Sequence, residues 1–193
     1  MKTITVYGAA SNSVDPTFYD AARQLGAIIA RNGYACANGG GKMGLMGAAN
    51  DGALSVDGGQ AIGVLPRFMA ERGWAHPGLT RVEVVDTMRD RKRRMMELAE
   101  GVGVIAMPGG IGTFEELFEA LTQRQLGLWR GNIVLLNTNG FYDKLIDVMR
   151  QATADHFMRQ DHLDLLFSVA DTPQAAFDMV TAPILDHDFT RKF

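Results

Sequence analysis

Ten residues, Met107-Pro108-Gly109-Gly110-Ile111-Gly112-Thr113-Phe114-Glu115-Glu116, join the end of an apolar strand to a glycine turn and a helix start bearing two adjacent carboxylates. Glycines lacking Cβ let a backbone turn sharply and approach a ligand, and the unpaired N–H groups of a helix N-terminus attract an anion. Gly109, Gly110, Ile111, Gly112 and Thr113 therefore read as a phosphate seat, with Glu115 and Glu116 within reach of whatever the phosphate carries. The plainer alternative is a glycine-capped turn into an amphipathic helix, with Phe114, Leu117, Phe118 and Leu121 inward and the glutamates solvated. A turn needs one glycine, whereas this one has three, and Thr113 stands where an N-cap or phosphate-contacting hydroxyl would sit.

A second constellation, Met88-Arg89-Asp90-Arg91-Lys92-Arg93-Arg94-Met95, opens another helical segment. Cations at a helix N-terminus oppose the macrodipole, so a basic first turn calls for an anionic partner; the alternative is an ion-paired, solvated face. Arg91 and Lys92 are placed to reach a phosphate or a ribose. Gly39-Gly40-Gly41-Lys42-Met43-Gly44 invites comparison with a P-loop, but that motif needs glycine at position 36 and Ser or Thr at 43, where Cys36 and Met43 stand. The dinucleotide fingerprint fails in the same way, since its third glycine would fall on Glu115. Met43, Met46 and Met88 flank these loops and offer an adaptable apolar wall for a planar base. The histidines at 76, 156, 162 and 187 lack metal-ligand spacing, so neither a metal nor a cofactor is expected.

The elements that position these residues alternate from end to end. Short β-branched runs at Thr3–Tyr7, Tyr34–Asn38, Ala61–Leu65, Val82–Val85, Val102–Met107, Ile133–Asn137 and Phe167–Ala170 are separated by helical patterns over Pro16–Arg31, around Leu45–Ala53, and over Met88–Glu100, Thr113–Leu126 and Phe141–His156. A last helix follows Pro173. This order predicts an α/β fold, a doubly wound parallel sheet in a single domain spanning 1–193. In such sheets ligands bind outside the carboxyl ends of the strands, where Gly8, Gly39 to Gly41 and Gly109 to Gly112 all fall.

With 193 residues, 47% of them hydrophobic, the chain suits one substantial core. A net charge of -3 gives no reason to expect nucleic acid as a partner. The single cysteine, Cys36, excludes an intrachain disulfide framework and fits a reducing compartment. Met1 to Val6 leads directly into a strand pattern, and no run of about 18 apolar residues suggests a membrane span. A cytoplasmic protein with a small-molecule ligand is expected.

Pro108-Gly109-Gly110-Ile111-Gly112-Thr113-Phe114-Glu115-Glu116 resembles the PGGxGTxxE signature of the LONELY GUY family, the cytokinin riboside 5'-monophosphate phosphoribohydrolases, and Arg91-Lys92 resembles its second element. The similarity extends through Gly39-Gly40-Gly41, Gly44-Leu45-Met46-Gly47, Gly63-Val64-Leu65-Pro66-Arg67, Ala75-His76-Pro77-Gly78-Leu79 and Gln125-Leu126-Gly127-Leu128. The resemblance implies a Rossmann-like homodimer that hydrolyses the N-glycosidic bond of a nucleoside 5'-monophosphate, AMP or an N6-prenylated cytokinin nucleotide, to free base and ribose 5-phosphate. It implies catalytic roles for Arg91 and Glu116, with adjacent Glu115 the other candidate, phosphate binding at Gly109 to Thr113, and Thr122 lining the site. Two departures stand out: Tyr7-Gly8-Ala9-Ala10 replaces a common Cys-Gly-Ser-Ser, and Arg72-Gly73 replaces Arg-Glu. Older lysine decarboxylase labels for such sequences find no pyridoxal-phosphate site here. The alternative is a nucleotide or molybdenum-cofactor carrier that keeps the fold without turnover.

Overall fold

A computed structural model describes residues 1–185; His187 lies outside them. In chain order the elements are β1 (Thr3–Tyr7), α1 (Pro16–Arg31), β2 (Ala35–Asn38), α2 (Gly44–Leu54), β3 (Ala61–Pro66), α3 (Arg67–Glu71), β4 (Arg81–Val85), α4 (Met88–Ala99), β5 (Gly103–Ala106), α5 (Ile111–Gln125), β6 (Asn132–Leu136), α6 (Asp143–Ala154), α7 (Gln160–Leu165), β7 (Ser168–Ala170) and α8 (Pro173–Thr181). The strands form one all-parallel sheet in the order β4-β3-β2-β1-β5-β6-β7. This is the doubly wound α/β architecture that the alternating pattern predicts.

Both sheet faces are covered, and each cover is a separate apolar layer. Ile4, Val6, Leu25, Ile29, Leu45, Ala49 and Phe177 join α1, α2 and α8 to one face, while Val104, Met95, Leu117, Leu121, Tyr142 and Ile146 join α4, α5 and α6 to the other. Strands buried on both faces read as continuous apolar runs, which is why β5 and β6 were legible as runs rather than as alternations. Gly26 and Gly52 let α1 and α2 pack closely, because a Cβ at Gly26 would meet the Ala49 carbonyl and one at Gly52 the Arg23 carbonyl.

The chain winds outward from β1 to β4, returns along α4, and winds the other way from β5. Neighbouring β1 and β5 thus mark the point where the winding reverses, the place at the carboxyl ends of the strands where such sheets bind ligands in a crevice. Three local differences from the sequence expectation matter. Helix α5 begins at Ile111 with Gly110 as its N-cap, so Thr113 lies inside the first turn instead of capping it. The helix expected from Phe141 to His156 starts at Asp143, after a 3-10 turn in which Asn139 has φ 55°. The short helices α3 and α7, one turn or little more each, carry too few residues to show a periodicity.

Candidate active site

The crevice opens into a cavity of about 480 Å³, within the size range of small-ligand sites. Gly8, Ala9 and Ala10 follow β1, Gly39 and Gly41 follow β2, and Gly110, Gly112 and Thr113 follow β5, so all three glycine loops share this cavity. The loops are tied together by backbone. Ala9 N–H donates to Pro108 O (3.1 Å), and Leu45 N–H donates to Ala9 O (2.8 Å). A buried amide pair supports the middle loop: Asn38 Nδ2 donates to Asn50 Oδ1 at 2.7 Å, and Gly40 N–H donates to Asn38 Oδ1 at 2.8 Å.

At one end of the cavity is the α5 N-terminus. Helices α1, α4 and α8 are capped by Asp15, Thr87 and Thr172, but the Gly110 cap of α5 provides no side-chain acceptor. Its leading N–H groups are left for an external anion. Gly109 is required for that turn, since a Cβ there would collide with the Thr113 side chain.

One turn into the same helix, Glu116 points back into the cavity with its side chain only 12% exposed. Burial pushes its carboxyl up from the ordinary 4.5 to about 7, against the pull of Arg91. Arg91 is itself buried: Nε donates to Val64 O (3.1 Å), and one terminal nitrogen donates to Gly39 O (3.2 Å). These bonds aim the other terminal nitrogen at Glu116 Oε1, 3.9 Å away. Burial lowers the affinity of the Arg91 guanidinium for its proton, and Glu116 and Glu115 partly restore it. The phenols of Tyr7 and Tyr142 flank this carboxylate; burial foremost, then Glu116, raises both, and Tyr142 OH donates to Met107 O at 2.7 Å.

Much of the remaining lining is apolar: Met43, Met46, Leu65, Met69 and Trp74, with Lys42 a polar side chain among them. An anion held at α5 thus shares its cavity with an ion pair and with apolar side chains.

The remaining sequence candidates lie elsewhere. Glu115 is exposed and pairs with Lys92 Nζ at 2.7 Å, and Lys92 also reaches Glu119 Oε2 at 3.0 Å, so both lie between α4 and α5 outside the cavity lining. Ile111, Glu115 and Thr122 fall on one exposed stripe of α5, Met88 is exposed at the start of α4, and Gly40 backs onto Leu65 and Gly63. The basic start of α4 finds much of its anionic partnership inside the protein: Arg94 bonds Glu83 and Glu97, and Arg93 bonds Asp90 and Glu97. Sequence reasoning missed Met69 and Trp74; the only signal was the departure at neighbouring Gly73, whose φ is 67°. Among the described residues, no His, Cys, Asp and Glu group has the geometry to hold a metal ion.

Residues 46–180 match the family model named "Possible lysine decarboxylase". Among curated proteins, the chain is 40% identical over 158 residues to a cytokinin riboside 5'-monophosphate phosphoribohydrolase of Rhodococcoides fascians, covering 81% of this chain and 78% of that one. It is 34% identical over 173 residues to one of Arabidopsis thaliana, covering 90% and 80%. Among solved structures, the molybdenum cofactor binding protein of Rippkaea orientalis superposes with a TM-score of 0.70 at 23% identity, covering 93% of this chain and 94% of that one, a likeness of fold. The Chlamydomonas reinhardtii molybdenum cofactor carrier protein does so at 0.68 and 23%, covering 91% and 92%.

Proposed function

The chain belongs to the LONELY GUY family of cytokinin riboside 5'-monophosphate phosphoribohydrolases, and we propose that it hydrolyses the N-glycosidic bond of a nucleoside 5'-monophosphate at the cavity between β1 and β5. The observation that carries this reading is Glu116: a buried carboxyl poised near neutrality, held against Arg91, one turn from a bare helix N-terminus that faces the same cavity. Perturbed groups of this kind, in a crevice with an anion seat, mark reaction centres.

In the proposed reaction the phosphate sits on the N–H groups of Gly110, Gly112 and Thr113, which places the ribose beside Arg91 and Glu116. Cleavage of the C1'–N bond leaves its electron pair on the base and builds positive charge on the sugar. Ionised Glu116 stabilises that charge and accepts a proton from the attacking water, whose oxygen bonds to C1'. The base takes up a proton from solvent and leaves, Glu116 gives the proton it accepted back to solvent, and the sugar is released as ribose 5-phosphate. Arg91 stays protonated throughout and acts by position, holding Glu116 and a substrate oxygen in one place. Glu115, facing outward, is not assigned the chemistry.

We further propose a homodimer formed through α5. Ile111 (84% exposed), Phe118 (45%) and Leu126 (54%) share an exposed face of that helix with Glu115 and Thr122, and a partner copy docked there would cover this apolar stripe and bring Thr122 and Met88 toward a site. Phe118→Glu should then give a monomer by analytical ultracentrifugation. We also propose a cytoplasmic location, with which a single, buried cysteine, Cys36, accords. Release of ribose 5-phosphate and free base from AMP and N6-isopentenyl-AMP tests the activity itself.

A further inference from the structure

Arg91 meets Glu116 with a guanidinium that is anchored from behind: Nη2 donates to Gly39 O at 3.2 Å, and Nη1 stands 3.9 Å from Glu116 Oε1. The Gly39 carbonyl belongs to the peptide unit that joins Gly39 to Gly40. Because that unit is planar and trans, its C=O and the Gly40 N–H point in opposite directions, so a group that grips the N–H also aims the carbonyl. Sterics do not hold the plane. Turning it over changes ψ of Gly39 and φ of Gly40, which is 73°, and glycine accepts either sign of φ at little cost.

The grip comes from a side chain. Asn38 Oδ1 accepts from Gly40 N–H at 2.8 Å, an Asx turn. Asn38 Nδ2 donates to Asn50 Oδ1 of α2 at 2.7 Å, and Asn50 Nδ2 donates to Gly41 O at 3.4 Å. These partners permit one orientation of the Asn38 amide, since turned over it would set donor against donor and oxygen against oxygen. Gly40 O is held separately by His76 N–H at 2.8 Å, which leaves the Gly39 carbonyl to the asparagines. Both asparagines are fully buried and neither lines the cavity. Two apolar side chains would pack α2 on β2 without the cost of burying amides, so their polarity is explained by the loop they hold.

We propose that Asn38 and Asn50 are positioning residues for the reaction: through the Gly39–Gly40 peptide they hold Arg91 against Glu116. The inference rests on the hydrolase reading for the chemistry that this placement serves. Arg91 is foremost among the groups that hold the Glu116 carboxyl down against burial; Lys92 acts in the same sense, and Glu115 and Glu119 oppose it, with the phenols of Tyr7 and Tyr142 alongside. Of these, Arg91 is the one bonded to the Gly39 carbonyl. A released Arg91 would therefore show as a higher Glu116 midpoint.

The test compares Asn38→Ala with Asn38→Ser, which differ by one hydroxyl able to accept from Gly40 N–H and donate to Asn50 Oδ1. NMR of carboxyl-labelled glutamate follows Glu116, whose signal is the one missing from Glu116→Gln. The wild type should titrate at about 7, Asn38→Ala higher, and Asn38→Ser close to the wild type. At pH 8, kcat should fall by about tenfold or more in Asn38→Ala and stay within about threefold of wild type in Asn38→Ser. Asn50→Ala removes the acceptor that orients the Asn38 amide, so it should move both readouts as Asn38→Ala does, and it carries the test if Asn38→Ala fails to fold. A raised Glu116 midpoint in protein that cleaves no nucleotide would support the hold on Arg91 and remove only the hydrolase reading. A purely structural pair would cost melting temperature and leave the titration in place. An unchanged Glu116 midpoint in folded Asn38→Ala or Asn50→Ala, or an Asn38→Ser protein no nearer the wild type than Asn38→Ala, would overturn the inference.

Discussion

The Glu116 carboxylate stands 3.9 Å from the Arg91 guanidinium and still titrates near pH 7, because burial outweighs the cation beside it. An ion pair built only for stability would be expected to hold its carboxyl below the ordinary value, as Arg94 does for Glu83. Here the pair is left loose and the remaining Arg91 donors are spent on Val64 and Gly39, so the guanidinium is fixed while the carboxylate is free to exchange a proton.

If ionised Glu116 is the working form, turnover should depend on pH with a definite sign. kcat should rise about tenfold per pH unit below about 7 and level off above it. Glu116→Gln should lose about two to four orders of magnitude in kcat and the acid limb with it, while ribose 5-phosphate still binds by calorimetry.

The same residue should weaken the fold at high pH. Between its ordinary 4.5 and about 7 the folded protein holds a proton on Glu116 that the unfolded chain has released, so stability falls as pH rises through that window. At about 1.4 kcal/mol per pH unit the loss approaches about 3 kcal/mol above pH 7. Denaturant unfolding should show Glu116→Gln more stable than the wild type at pH 8 and the difference largely gone at pH 5.

Gly39→Ala should disable the site while leaving the identities of Arg91 and Glu116 unchanged. A Cβ at position 39 would collide with the Arg91 guanidinium, which buried bonds to Val64 and Gly39 keep from swinging aside. We expect kcat to fall by about tenfold or more, with circular dichroism unchanged in shape.

Lys92 separates support from binding. It joins Glu115 and Glu119 across α4 and α5, and Glu119 Oε2 is buried without a hydrogen-bond partner beyond that ion contact. Lys92→Met should lower stability by about 1–3 kcal/mol through the uncompensated Glu119 charge, while KM changes less than about threefold. A large rise in KM at unchanged stability would instead make Lys92 a direct ligand of the substrate.

Much of this architecture was legible in the residues. The alternation of β-branched runs with helical spacing gave the parallel sheet, and the glycine clusters at strand ends located the cavity, because both depend on local backbone needs. The direction of Glu115 and Glu116 was not legible: neighbours on a helix point about 100° apart, and which one faces inward depends on how α5 packs on β1 and β5. Start positions were blurred for a related reason. Gly110 serves as N-cap through its backbone alone, so Thr113 looked like the cap. Met43 and Met46 were expected in the apolar lining, but Trp74 was not, because it is placed by a strap of long-range backbone bonds to Lys42 and Gly40, and nothing in the local sequence announces them.

The most direct measurement is release of ribose 5-phosphate and free base from AMP and N6-isopentenyl-AMP by the purified protein at pH 8, beside Glu116→Gln. The account predicts both products in equal amounts from the wild type, and release slower by about a hundredfold or more from Glu116→Gln although it still binds nucleotide. Wild-type protein that binds both nucleotides and cleaves neither would contradict it and leave a carrier of the same fold.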